Sequence, residues 1–279
     1  MKLSGVEEKA RSYYNSDDAE EFYSRVWGGK DIHIGLYTSE NESIADASHR
    51  TVETMAALLP EKARDTSVFK ALDLGAGYGG AARYLAETRQ CEVDCLNLSE
   101  AQNERNRQLT HEAGLDSKVR VFDGSFEDIP FDDSQYDLVW SQDSFLHSGR
   151  RERVLSEATR VLKKGGLFIF TVVMQTAAVN PGVLQPILNR IHLQSLASPS
   201  FYRDCSDKTG LKLISFKDQT EQLCKHYSRV LAEIQKRENE LSNTISLEYL
   251  KNMQTGLQHW VNGGKSGDIC WGIWQFEKL

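Results

Sequence analysis

The sequence has 279 residues, with 33 Lys and Arg against 40 Asp and Glu and a formal net charge of −7. At 40% hydrophobic and 26% charged residues it reads as a globular chain, long enough for one α/β domain with a substantial insertion or for two small domains, and its acidic balance argues against nucleic acid or an anionic membrane surface as partner. The five cysteines (Cys91, Cys95, Cys205, Cys224, Cys270) form no C-x-x-C pair, so zinc and redox motifs are unsupported, and no apolar run approaches the roughly 18 residues of a membrane span.

In chain order, residues 1–9 are polar and charged, so no secretory leader is expected and reduced cysteines in a cytoplasmic setting are the simplest reading. Residues up to 60 predict helices packed at one end of the fold, and residues 22–37 are laden with aromatics and glycines. The run 68–74 predicts a first strand, entering the turn Gly75-Ala76-Gly77-Tyr78-Gly79-Gly80 and leaving it as a helix at 83–89. A second strand is expected at 92–98, then a helix at 99–114 with Ser99 as N-cap and Gly114 as its stop. Short strands follow at 119–122 and 136–141, then a helix at 151–162 ended by Gly165-Gly166, and a fifth strand at 167–173. Continuous apolar runs alternating with helical patterns predict a doubly wound, mostly parallel sheet.

Past Gln175 the regularity loosens. A helix is expected at 198–209, a strand at 211–216, two amphipathic helices at 221–242 and 247–261, and a final strand at 268–277. The two helices between the sixth and seventh strands predict a cap over the strand C-terminal ends, where open α/β sheets bind ligands.

The glycine turn carries two overlapping fingerprints. Gly75, Gly77 and Gly80 satisfy the dinucleotide pattern G-x-G-x-x-G, and Asp73, Gly75, Gly77 and Gly79 satisfy D-x-G-x-G-x-G, the pattern of S-adenosylmethionine (SAM) methyltransferases. A dinucleotide site expects an acid about 20 residues on, at the end of the second strand. Asn97 stands there, which weakens that reading without closing it.

Two further segments decide between them. Ile129-Pro130-Phe131 followed by Tyr136-Asp137-Leu138-Val139, and Arg160-Val161-Leu162-Lys163-Lys164-Gly165-Gly166, resemble the successive motifs of class I SAM-dependent methyltransferases over residues 72–173. The segment Phe22–Tyr37 resembles the lid of enzymes that methylate small amines. Together with Trp140-Ser141-Gln142-Asp143-Ser144-Phe145-Leu146-His147-Ser148, it resembles the sarcosine/dimethylglycine N-methyltransferases of glycine betaine synthesis. Phosphoethanolamine methyltransferases share a looser version of this layout. The [ND]-P-P-[YF] motif of amino-methylating nucleic-acid enzymes is missing, since Ser141-Gln142-Asp143-Ser144 occupies its place.

The resemblance implies a Rossmann-like class I methyltransferase: N-terminal helices and active-site lid at 1–66, SAM-binding core at 67–220, helical cap insertion at 221–266, and the last core strand at 267–279. It implies that Tyr23, Trp27, Ile32 and His33 close over SAM, and that the Gly75-Ala76-Gly77 backbone and Gln142 meet its methionine end. Asp73 either holds the turn or reaches the ligand ammonium through water. Asn97 and Leu98, with Gln102, would meet ribose and adenine, and Ser125 and Phe126 occupy the adenine position, where many relatives place an Asp in place of Ser125. Asp143 and His147 would face the acceptor amine, with Tyr14 closing the site. Trp260, Trp271 and Trp274 are read as core or cap packing, and Arg203 and Arg229, placed in the cap, as candidates for the acceptor carboxylate. No metal site is expected. The implied activity is N-methylation of sarcosine and/or dimethylglycine to give glycine betaine, with a methyltransferase for phosphoethanolamine or another small amine, and a non-catalytic SAM-binding protein, as alternatives.

Overall fold

A computed structural model describes residues 3–60, 69–191 and 193–279. Val68, the expected head of the first strand, and the 66/67 boundary lie outside the described residues, as do Met1 and Lys2 of the polar N-terminal stretch. Three helices come first: α1 (Gly5–Tyr14), α2 (Asp17–Arg25) and α3 (Ile44–Ala56). Then strands and helices alternate: β1 (Lys70–Leu74), α4 (Gly80–Thr88), β2 (Glu92–Asn97), α5 (Glu100–Glu112), β3 (Val119–Asp123), β4 (Tyr136–Gln142), α6 (Arg151–Val161) and β5 (Leu162–Gln175). The remainder is α7 (Pro181–Ile191), α8 (Pro199–Thr209), β6 (Leu211–Asp218), α9 (Thr220–Leu241), α10 (Leu247–Lys265) and β7 (Ile269–Lys278). No helix among the described residues is long and apolar enough to cross a membrane.

The seven strands form one sheet in the order β3-β2-β1-β4-β5-β7-β6. The first five pair in parallel, and β7 runs antiparallel between β5 and β6. The order reverses at β1, so the crevice beyond the C-terminal ends of β1 and β4 is the topological switch point where such sheets bind ligands. Both strands are almost fully buried, as their unbroken apolar runs require.

Serines set most of the helix starts. Ser4, Ser16, Ser43, Ser99, Ser198 and Ser246 each accept a backbone N–H from the first turn of their helix, satisfying one of its orphan donors. The expected Ser99 cap and the positive-φ Gly114 behind α5 are both present. Two elements differ from expectation. The fifth strand begins at Leu162, because Leu162 pairs with Tyr136 before a register shift passes over the Lys163–Gly166 stretch. Helix α7 has no sequence signal, because Pro186 lies inside it.

The cap helices α9 and α10 pack on each other and on β7, and α9 also meets α3. Gln222, His226 and Arg229 of α9 tie the segment between α2 and α3 to this cap, and His226 does so from the interior. His226 of α9 is fully buried and accepts the Gly35 N–H at Nδ1 (3.0 Å), with the Tyr37 hydroxyl 3.1 Å away. An N–H only donates, so Nδ1 is unprotonated and the ring neutral. Burial drives its pKa from 6.5 down to about 3. In that interval the unfolded ring binds a proton that the folded ring refuses, so stability falls as pH drops below about 6.5. Relative to a His226→Gln variant, the wild type is expected to lose up to about 1.4 kcal/mol per pH unit across the acidic part of the window, read by urea denaturation. Parallel pH profiles of the two proteins would contradict this.

Candidate active site

Three adjoining spaces open at the switch point. The first is a cleft between the β1 turn and α1. Gly75, Gly77, Asn97, Leu98, Gln102, Phe126 and Gln142 line it on the sheet side, and Glu7, Arg11 and Tyr14 of α1 lie across it. Gly75 has φ +73°, and a Cβ there would overlap the Ser144 side chain. Only glycine lets the strand turn here and leaves the backbone bare for a ligand.

The second space is a narrow continuation of the first, lined by Asp31, Ile32, His33, Asp73, Ala76 and Gln142. Trp140 Nε1 donates to Gln142 Oε1 (3.0 Å), which turns the amide Nε2 away from Trp140, buried and without a protein partner. Burial pushes the Asp73 carboxyl up to about 7, against the nearby His33.

The third space is a chamber of about 170 Å³ beneath the cap, walled by Tyr13, Tyr14, Tyr23, Trp27, Tyr227 and Trp260 and reached by Lys9. Ile32 borders all three spaces, and Tyr14, Asp143 and His147 border both the chamber and the first cleft. These residues form the common wall. His147 closes a 3₁₀ turn (Phe145–His147) just after β4, and its Nε2 lies 3.1 Å from the Tyr14 hydroxyl. Asp143, in the left-handed region at φ +51°, receives the Ile34 N–H (2.9 Å) on one oxygen and the Trp271 indole N–H (2.6 Å) on the other. Burial raises its pKa in spite of those two donors.

The expected site residues therefore converge, with some reassignments. Tyr23 of α2 and Trp27 just after it line the chamber and not the two clefts, because they belong to one apolar cluster with Met253 and Leu257 of the cap. Trp27 also donates to the His33 carbonyl (3.0 Å), so it is at once a core ring and a chamber wall. Ser125 does not line the cleft: it is buried, donates to Glu7 and accepts the Glu127 N–H (3.0 Å). Glu7, at the N3 position of the α1 capping box, thus brings a carboxylate to the cleft and to Ser125 from more than a hundred residues away. Asn97 Nδ2 donates to Gln102 Oε1 (3.1 Å), which leaves the side-chain oxygen Oδ1 for a ligand.

Trp271 bonds Asp143 and Trp260 lines the chamber, so only Trp274, stacked 4.1 Å from Phe216, is confined to the core. Arg203 lies on α8 over Phe216 and Trp274, and Arg229 donates to the Glu42 carbonyl (3.0 Å), so neither reaches the chamber. Among the residues that sequence reasoning missed are Glu7, Lys9, Arg11, Tyr13, Asp31 and Tyr227. Only the S-x-x-E capping box around Glu7 left a local signal.

A protein from Halorhodospira halochloris named sarcosine/dimethylglycine N-methyltransferase is 55% identical to this chain, over 97% of it and 96% of the relative. The chain belongs to the sarcosine/dimethylglycine N-methyltransferase family. A second member, from Aphanothece halophytica, is 52% identical over 99% of both chains. A Galdieria sulphuraria crystal structure assigned as a sarcosine dimethylglycine methyltransferase superposes with a TM-score of 0.89 at 42% identity, covering 95% of this chain and 98% of that one. A methyltransferase-domain family model matches residues 72–170, from β1 into β5. The protein is a SAM-dependent methyltransferase of class I fold.

The residues fit that cofactor. The bare Gly75–Gly77 backbone, the Asn97 side-chain oxygen and the unpartnered Gln142 amide are the groups a nucleoside joined to an amino acid requires. Gly75→Ala is expected to weaken S-adenosylhomocysteine binding by at least about tenfold in calorimetry, since the strain and overlap fall on the cofactor turn. Gly114→Ala has the same sign of φ but open space around it, and is expected to cost only about 1 kcal/mol of stability with affinity unchanged. Equal affinities in the Gly75 variant and the wild type would contradict the assignment.

Proposed function

We propose that the protein methylates the nitrogen of sarcosine and of dimethylglycine, the second transfer giving glycine betaine. The carrying observation is the common wall: Tyr14, Asp143 and His147 border both the cofactor cleft and the chamber, so an amine in the chamber lies beside the cleft. The chamber is the size of a small molecule, and the high-identity relatives carry these substrates in their names.

When bound, SAM supplies a methyl group already activated by its sulfonium. The protein must position the amine, remove its proton and exclude water. Amines of this class are protonated in water, and nitrogen needs a free pair to attack. Tyr14 and His147 form the proton path: the Tyr14 oxygen accepts from the ammonium while its hydroxyl donates to His147 Nε2, which retains the proton. Asp143 sets negative potential at the same wall, and the faces of Tyr23, Trp27 and Trp260 suit a permanently cationic product. Among the described residues Lys9 is the lysine or arginine lining the chamber, and it balances the substrate carboxylate. A small-molecule amine is thus the partner.

With isotopically labelled SAM, the purified protein is expected to convert both amines, with labelled betaine detected by mass spectrometry. His147→Gln should lower kcat by about a hundredfold or more and Tyr14→Phe by roughly tenfold. Lys9→Gln should raise KM for dimethylglycine with kcat little changed. No transfer to either amine by a protein that binds S-adenosylhomocysteine would overturn the substrate assignment.

A further inference from the structure

The narrow space beyond the glycine turn holds two buried acceptors with nothing to accept from. Asp31 is 6% exposed and its Oδ1 has no hydrogen-bond partner. His33 is 8% exposed and its Nε2 has none either. The two atoms stand 3.9 Å apart, too far to bond each other. The tautomer of His33 follows from its other nitrogen: Nδ1 lies 3.3 Å from the Ile34 carbonyl, which only accepts, so Nδ1 carries the proton and Nε2 presents a lone pair. Both side chains line the same space as Gln142, whose Nε2 is an unpartnered donor. A buried polar group left unpaired costs about 1–3 kcal/mol, so three around one small space mark a place built for a ligand.

The donor and acceptor pattern defines the ligand chemistry. Two acceptors, one of them anionic, call for a group with several N–H donors and positive charge, and the amide N–H opposite calls for an acceptor. That is an amino acid zwitterion. We propose that Asp31, with His33 beside it, is the specificity-determining contact for the α-ammonium of the cofactor's methionine end, and that Gln142 Nε2 donates to its α-carboxylate.

Two features hold Asp31 for this task. His49 Nδ1 bonds the other oxygen, Oδ2 (3.0 Å), so Oδ1 alone is left without a partner. Gly80, at the first position of α4, has no Cβ, and one built there would collide with Oδ1. Burial works against ionisation of Asp31, but the hydrogen bond and charge of His49 work the other way, and the group is held well below the usual carboxylate range. Asp73, by contrast, is pushed up toward neutrality by burial, so Asp31 is the charged member of the pair.

The proposal rests on the cofactor assignment and is independent of the methyl acceptor. It is tested by calorimetry on the full chain with three probes: S-adenosylhomocysteine, its deaminated analogue S-adenosyl-4-thiobutyrate, and 5′-methylthioadenosine, which lacks the whole amino acid end. The wild type is expected to bind the deaminated analogue about tenfold or more weaker than S-adenosylhomocysteine, the usual consequence of losing a charged hydrogen bond. Asp31→Asn is expected to lose that discrimination while binding 5′-methylthioadenosine as the wild type does. Asp31→Ser, whose hydroxyl still gives His49 a partner, serves if the asparagine variant does not fold. Equal wild-type affinity for the first two probes overturns the proposal. So does a folded variant that still discriminates, or one that loses 5′-methylthioadenosine equally. If S-adenosylhomocysteine fails to bind the wild type, the cofactor assignment falls and the proposal with it. Failed amine turnover with binding intact touches only the proposed function.

Discussion

A carboxylate taken out of water must find donors inside the protein, and Asp143 finds its two at opposite ends of the chain. One comes from the backbone of Ile34, before the first strand, and the other from the indole of Trp271, in the last. Unpaired burial of such a group costs several kcal/mol. The Asp143 carboxylate is therefore satisfied only when the N-terminal segment, the end of β4 and β7 are all in place together. The left-handed backbone at Asp143 follows from the same need, because the chain turns off the sheet there while its own N–H stays bonded to the Thr171 carbonyl (3.0 Å). The wall between cofactor and chamber is the product of this one convergence.

The core of the fold was legible because its signals are local. Glycines before α4, a serine before α5 and unbroken apolar runs in β1, β4 and β5 are each fixed within a few residues by turn geometry, capping or burial. The site was legible only in part. Motif residues such as Gly75, Gln142, Asp143 and His147 lie on that local framework. Their partners do not: Tyr14 reaches His147 across 133 residues, Trp271 reaches Asp143 across 128, and Glu7 reaches Ser125 across 118. No periodicity carries such pairs. Trp271 and Trp260 read as packing because burial and function make the same demand of a tryptophan in a strand or helix. Helix α7 was hidden by its internal proline, and with it the part of the chamber wall that Ile191 contributes.

For the proposed reaction, the arrangement supplies a covered site in an acidic chain. The segment between α2 and α3 is held to the cap by His226 and to the sheet by Asp143, while α1 is held to the core by Glu7 on Ser125 and by Arg11 on Glu100 (2.9 Å). These contacts cover the switch point with aromatic rings, and the Tyr14–His147 pair proposed as the proton path stands at the wall. In such a setting catalysis comes chiefly from orientation and from fixed dipoles that need no rearrangement.

A crystal structure with S-adenosylhomocysteine and dimethylglycine bound together tests the central claim most directly. The adenosyl group is expected over Gly75, Leu98 and Phe126, with the amine nitrogen in the chamber, against Tyr14, Asp143 and His147 and facing the sulfur. An amine seated anywhere else, for example in the open groove lined by Arg151, Ser195 and Phe201, would contradict it.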